Sequence, residues 1–200
     1  MGWVALNGSP VGQGIRLKLE DQSYTPVAEA TTDANGVYTF LDLDPLEQGY
    51  NVLFAQEWNQ NFEIDQVISW GWMGPVVVQA GSALELPDFE ISPLGFKQVS
   101  PESNSTFSAA AISAANPIRF EWSAYPQAAT YWVDLARGEE QPVLWQSLLV
   151  EAGPVEFDGT LSDSSHIQPG DYWWGVGARR PVEAYIVTVY GLQQRLTIEP

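Results

Sequence analysis

The 200-residue chain contains no cysteine, one histidine and only eight Lys and Arg. Each shortage removes a class of chemistry. Without thiols there is no disulfide, no thiolate nucleophile, no Cys-ligated zinc and no iron–sulfur cluster. His166, as the lone imidazole, does not furnish the ligand set of a catalytic zinc ion. The eight cations face 25 Asp and Glu, for a formal charge of −17. Such a surface has no clustered positive charge with which to displace counterions from nucleic acid or to meet anionic lipid, so neither is an expected partner. No run approaches the roughly 20 apolar residues that span a bilayer, so no direct membrane insertion is expected. Met1-Gly2-Trp3 opens on strand-like sequence, without the basic segment and apolar core of a signal peptide. Helical periodicity is also scarce. The Ala-rich piece STFSAAAISAANP, residues 105–117, carries Ser, Thr, Asn and a closing Pro that favour extended or irregular chain.

Aromatic residues and turn formers are plentiful: nine Trp, eight Tyr, eight Phe, 17 Gly and 14 Pro. The rings supply buried area sufficient for a core, so disorder is excluded. Alternating or β-branched runs recur at GIRLKLE (14–20), VYTFLDL (37–43), YNVLFAQ (50–56), VVVQ (76–79) and LELPDFEI (84–91). They continue at IRFEW (118–122), TYWVDLA (130–136), YWWGVGA (172–178), YIVTVY (185–190) and RLTI (195–198). The expected class is therefore all-β, and the length suits two tandem β-sandwiches. Pro, Gly and Ser concentrate in SPLGFKQVSPESNS, residues 92–105. This places the expected division at 1–92, a boundary segment at 93–104, and 105–200.

In GIRLKLE, Ile15, Leu17 and Leu19 alternate with Arg16, Lys18 and Glu20, giving one buried and one wet face. Downstream comes TTDANGVYTF, residues 31–40, then Leu43, then Gly49-Tyr50-Asn51-Val52. Together these residues resemble the carboxypeptidase regulatory-like, or transthyretin-like, β-sandwich family over residues 3–92. The resemblance implies a non-catalytic appendage of a secreted enzyme or a spacer on a cell surface. Some surface relatives close a Lys–Asn isopeptide bond in the core, but alternation turns Lys18 outward. In the second half, Pro101, Phe120, Trp122, Tyr131, Val133, Leu135 and the run IQPGDYWWGVGA (167–178) resemble a fibronectin type III-like sandwich. That resemblance implies a Tyr172 hydroxyl anchored near a Pro-Gly corner and roles in spacing, adhesion or contact with proteins and glycans. Both implied families place the chain outside the cell or at the bacterial cell surface, exported by a targeting segment not present in these residues.

Three sets of residues are candidates for more than structure. Asp33 and Asn35 precede Gly36 as oxygen ligands do in calcium loops, and Asp42, Asp44 or Glu20-Asp21 are the acids that would complete a site if the fold brought them to the turn. The competing reading is a tight turn in which Asp33 accepts backbone amides, and it is the one adopted, with no cofactor expected. Asp163, Ser164, Ser165 and His166 hold the residue types of a hydrolytic triad. Neighbours on one loop do not converge as a triad does, so the chain is not expected to be an enzyme. Trp70 and Trp72 in SWGWMG share a strand face, and Trp173 opposes Tyr172 and Trp174. Exposed rings of this kind stack on sugars. The function expected is thus a non-catalytic extracellular structural, spacer or adhesion module, whose partners are other domains of the same polypeptide, surface proteins or glycans. The alternative is a carbohydrate-binding accessory module using Trp70, Trp72 and Trp173.

Overall fold

A computed structural model describes residues 1–63, 66–138 and 142–200. The first eight strands are β1 (Gly2–Leu6), β2 (Ser9–Pro10), β3 (Arg16–Glu20), β4 (Pro26–Thr31), β5 (Val37–Tyr38), β6 (Tyr50–Ala55), β7 (Trp70–Val76) and β8 (Phe89–Glu90). Nine more follow: β9 (Gln98–Ser100), β10 (Ser105–Ser108), β11 (Ile118–Trp122), β12 (Thr130–Ala136), β13 (Val143–Gln146), β14 (Val155–Phe157), β15 (Gly170–Val182), β16 (Tyr185–Tyr190) and β17 (Gln194–Glu199). Among the described residues the helical segments are single 3-10 turns at Gln56–Trp58 and Ala109–Ala111. The fold is all-β and of sandwich type.

The chain divides into two compact units, one of residues 1–94 with 179–189 and one of residues 95–178 with 190–200. The break near residue 94 falls within the Pro/Gly/Ser-rich stretch. Two features depart from the expected division. Residues 98–100, assigned to a boundary segment by composition, form β9 and pair with β11 in the second unit. Residues 179–189, counted on sequence with the second half, belong to the first unit. A strand's alternation states that one face will be buried but not which sheet edge receives it, because pairing is non-local.

In the first unit the larger sheet runs β4-β3-β6-β7, with β16 next to β7. Its inner face is the alternating set read from sequence: Ile15, Leu17 and Leu19 are at most 3% exposed, and Val52, Phe54 and Met73 are fully buried. A smaller sheet, β2-β1-β5 with β8 parallel to β1, supplies Val4, Tyr38 and Phe89. Gly71 permits the close approach of β16, since a Cβ there would lie 2.8 Å from the Thr188 carbonyl oxygen. Three expected strands are shortened. VYTFLDL leaves the sheet after Tyr38, and further on Asp42 adopts φ 55°, outside any strand conformation. VVVQ contributes only Val76, and LELPDFEI only Phe89 and Glu90.

In the second unit a three-stranded sheet, β14-β11-β9, accompanies β13-β12-β15-β17-β10. The latter ends in a parallel pairing of β10 with β17. Tyr172, Trp174, Val176 and Ala178 are at most 1% exposed, as their alternation requires. Phe120 packs on Trp174 at 4.9 Å between ring centroids and Trp145 on Phe157 at 4.8 Å. Rings at this spacing add about 0.5–1.5 kcal/mol per pair beyond their burial. The Tyr172 hydroxyl donates to the Gln168 carbonyl at 2.8 Å, tying the start of β15 to the corner before it.

Two buried tyrosines differ in one respect. Tyr172 has its acceptor, whereas the Tyr38 hydroxyl is buried with no hydrogen-bond partner among the described residues, and burial pushes its phenol pKa up. Tyr172→Phe is expected to lower stability to urea unfolding by about 1 kcal/mol. Tyr38→Phe removes an unpaired polar group and is expected to leave stability unchanged or raised. A larger loss at Tyr38 than at Tyr172 would contradict this assignment.

Candidate functional site

The aromatic face proposed from SWGWMG lies on β7 in the first unit. Register fixes its neighbours: Lys18 stands opposite Leu53 and Leu53 opposite Trp72, while Ala55 stands opposite Trp70. All lie on the face turned away from Leu17, Val52 and Met73, because side chains alternate along each strand. Leu53 and Ala55 are nevertheless only 5% and 3% exposed. Directly opposed side chains are about 5 Å apart at Cβ, so the two indoles are positioned to cover these residues.

Trp70 and Trp72 are both half-buried, with ring centroids 4.6 Å apart and ring planes 51° apart. Sequence reading placed them correctly on one face. Their tilt prevents the pair from presenting one flat platform, and most of their surface is already covered. Trp173 is half-buried in β15, with the Arg195 guanidinium 5.8 Å from its ring centroid. It belongs to the second unit, whereas Trp70 and Trp72 belong to the first.

One aromatic residue of this face was not anticipated. Trp58 ends the 3-10 turn after β6, and the Lys18 ammonium sits 4.0 Å from its ring centroid. Lys18 is thus turned outward, as alternation requires, and occupies a face of an indole. The turn is fixed by Asn59, whose amide oxygen accepts from the Arg16 amide at 2.7 Å and whose nitrogen donates to the Arg16 and Ala55 carbonyls. AQEWNQN has no strand periodicity, so only a long-range pairing with β3 could have revealed Trp58's place.

The acidic candidates perform turn chemistry. One Asp33 carboxylate oxygen accepts the amides of Asn35 at 2.8 Å and Val37 at 3.0 Å, and Asp33 and Val37 close the turn through the backbone. Asp42 is exposed, and Asp44 contributes its carbonyl to the Tyr50 hydroxyl at 2.6 Å. Among the described residues no three His, Asp or Glu side chains gather around a point where a metal ion would bind. Asp33, Asp42 and Asp44 are therefore not brought together.

The other loop is organised in the same way. Asp163 accepts from the Ser165 amide at 2.9 Å and its hydroxyl at 2.6 Å, while a His166 ring nitrogen lies 3.1 Å from the Ala109 carbonyl. The Ser165 hydroxyl is thus engaged by the Asp163 carboxylate and the His166 ring by a backbone carbonyl, instead of hydroxyl and imidazole bonding each other as in a triad.

No family model matches the chain, and no curated protein matches it. A solved structure that it matches is described as a "putative carbohydrate binding protein" from Bacteroides uniformis ATCC 8492. The TM-score is 0.38 and the identity 14%, over 98% of this chain and 96% of that one. A likeness this distant carries no inference about a ligand.

Three second-unit carboxylates have lowered pKa values with identifiable donors. Asp158 is held down by the Thr160 amide, Asp163 by the Ser165 hydroxyl and then its amide, and Asp171 by the Thr197 hydroxyl and then Arg195. A depressed folded-state pKa contributes stability that is complete above the ordinary aspartate value of about 3.9 and is lost as pH falls through the lower folded value. The thermal stability of Asp158→Asn/Asp163→Asn/Asp171→Asn is accordingly expected to fall less steeply than that of the parent between pH 4 and 2. Identical slopes would remove these three groups from the acid transition.

Proposed function

We propose that this chain is a non-catalytic β-sandwich module of an exported bacterial surface or secreted protein, serving as a spacer, display or adhesion segment. The observation that carries the proposal is the use made of its reactive groups. Asp33 and Asp163 are bound to the backbone of their own turns, and His166 faces a backbone carbonyl. Catalytic groups need the opposite arrangement, with a base in reach of a nucleophile and a vacant space where a reacting atom stands.

Finer family readings accompany it. The first unit, with its alternating β3 and the turn at Asp33, supports a carboxypeptidase regulatory-like sandwich. In the second, sheets β14-β11-β9 and β13-β12-β15-β17-β10, with the Tyr172 hydroxyl bonded four residues upstream, support a fibronectin type III-like one. The proposed partners are neighbouring domains of the same polypeptide and other surface proteins.

The carbohydrate-binding alternative depends on flat, accessible indoles, and the 51° tilt of Trp70 on Trp72 argues against it. Nine Trp residues provide the assay. Titration of the whole chain with soluble cellulose, xylan, mannan and chitin oligosaccharides is expected to leave Trp fluorescence unchanged. A saturable response abolished by Trp72→Ala would overturn the structural reading in favour of glycan binding.

A further inference from the structure

The sequence contains one Asp–Pro peptide bond, between Asp44 and Pro45, in the segment that links β5 to β6. Both residues are exposed. The carbonyl oxygen of this bond is nevertheless held, because the hydroxyl of Tyr50, a residue only 4% exposed, donates to it at 2.6 Å. The Asp44 side chain is used differently from those of the turn acids. Asp33 is occupied by two backbone amides, whereas among the described residues no hydrogen bond or ion pair reaches the Asp44 carboxylate.

The second unit contains a matching arrangement. There the Tyr172 hydroxyl donates at 2.8 Å to the carbonyl of Gln168, which again precedes a proline, Pro169. A tyrosine bonded to a carbonyl before proline is thus a structural tie in both units. At position 44 the residue that owns the carbonyl also carries a carboxylate. An aspartate oxygen can close a cyclic anhydride on its own carbonyl carbon, so nucleophile and target are joined within one residue. The neutral amide of Gln168 is no comparable nucleophile.

We propose that the chain cleaves its own Asp44–Pro45 bond, with the Asp44 carboxylate as nucleophile and the Tyr50 hydroxyl as the donor to the developing oxyanion. An Asp44 Oδ attacks the Asp44 carbonyl carbon, and negative charge gathers on the oxygen to which Tyr50 already donates. The Pro45 nitrogen, which carries no hydrogen in the peptide bond, takes a proton from solvent and leaves as a secondary amine as the C–N bond breaks. Water then opens the anhydride at Asp44 to two carboxyl groups, so the sum is hydrolysis of one peptide bond. The event occurs once per chain and is independent of the spacer role. The two pieces stay associated, because β1 pairs with β8 and β3 with β6 across the cut.

Incubation of the full chain at pH 5 and 37 °C, read by mass spectrometry under denaturing conditions, tests this. Residues 1–44 and 45–200 are expected to accumulate as separate species, with the Gln168–Pro169 bond uncut. The folded chain is expected to cleave faster than the same chain in urea, where Tyr50 no longer meets the carbonyl. Tyr50→Phe is expected to slow cleavage roughly tenfold, less than the hundredfold or so typical of a donor in a water-excluded site, because Asp44 is exposed. Asp44→Ala, at an exposed position, is expected to retain the fold and abolish cleavage. Should Tyr50→Phe unfold, the comparison of folded and urea-unfolded parent decides alone. An uncut parent, cleavage as fast in urea as in the folded state, a folded Tyr50→Phe that cleaves at the parent's rate, or cleavage that persists in Asp44→Ala would each overturn the proposal.

Discussion

The carboxylate that accepts backbone amides is the interaction on which the rest of this structure depends. Eight cations cannot neutralise 25 acids, and the backbone N–H groups that a chain reversal leaves unpaired need acceptors. The chain resolves this by giving its acids N–H donors of its own backbone. Asp21 holds the amides of Ser23 and Thr25, Asp33 those of Asn35 and Val37, and Asp158 that of Thr160. Glu90 is the most buried example, at 8% exposure. Its two oxygens take the amides of Asn7, Gly8 and Ser92, which joins the β1–β2 turn to the end of β8. Hydrogen bonds to an ionised acceptor are stronger than neutral ones, so turns of this kind are firm corners.

That constraint shapes the functional reading. Residues whose letters suggest calcium binding or hydrolysis are those the fold uses to reverse direction. The aromatic residues follow a similar logic, with Trp174, Trp145 and Phe120 joined in the second unit's core and Trp58 in contact with Lys18 on the first unit's outer face. Asp44 is different in kind. Among the described residues its carboxylate caps no turn, and it is its carbonyl that the fold holds, through the Tyr50 hydroxyl.

Strand faces were legible in the sequence where an alternating run stays within a sheet, as in β3 and β15, but VYTFLDL and LELPDFEI were read as strands and contribute only two residues each. The inward sets of β3 and β15 could be read directly, as could the turn at Asp33 and the outward direction of Lys18. Destination was not legible. YIVTVY alternates in the same way whichever sheet it joins, and the membership of residues 179–189 in the first unit depends on which edge accepts β16. Strands of two residues, such as Ser9–Pro10 and Phe89–Glu90, carry no periodicity to detect. For the Trp candidates, the shared face of Trp70 and Trp72 followed from spacing, but their tilt and partial burial depend on Leu53, Ala55 and other residues distant in sequence. Trp58 was missed for the same reason.

The central claim, that ionised acids hold the turns, is tested most directly by comparing Glu90→Gln with Glu47→Gln in urea unfolding at pH 7. Glu47 is exposed, so its substitution removes an equal charge without removing a corner. Glutamine at position 90 sets an N–H group against backbone donors, and a loss of about 1–3 kcal/mol is predicted there, with none at position 47. Equal stability of the two variants would contradict the account.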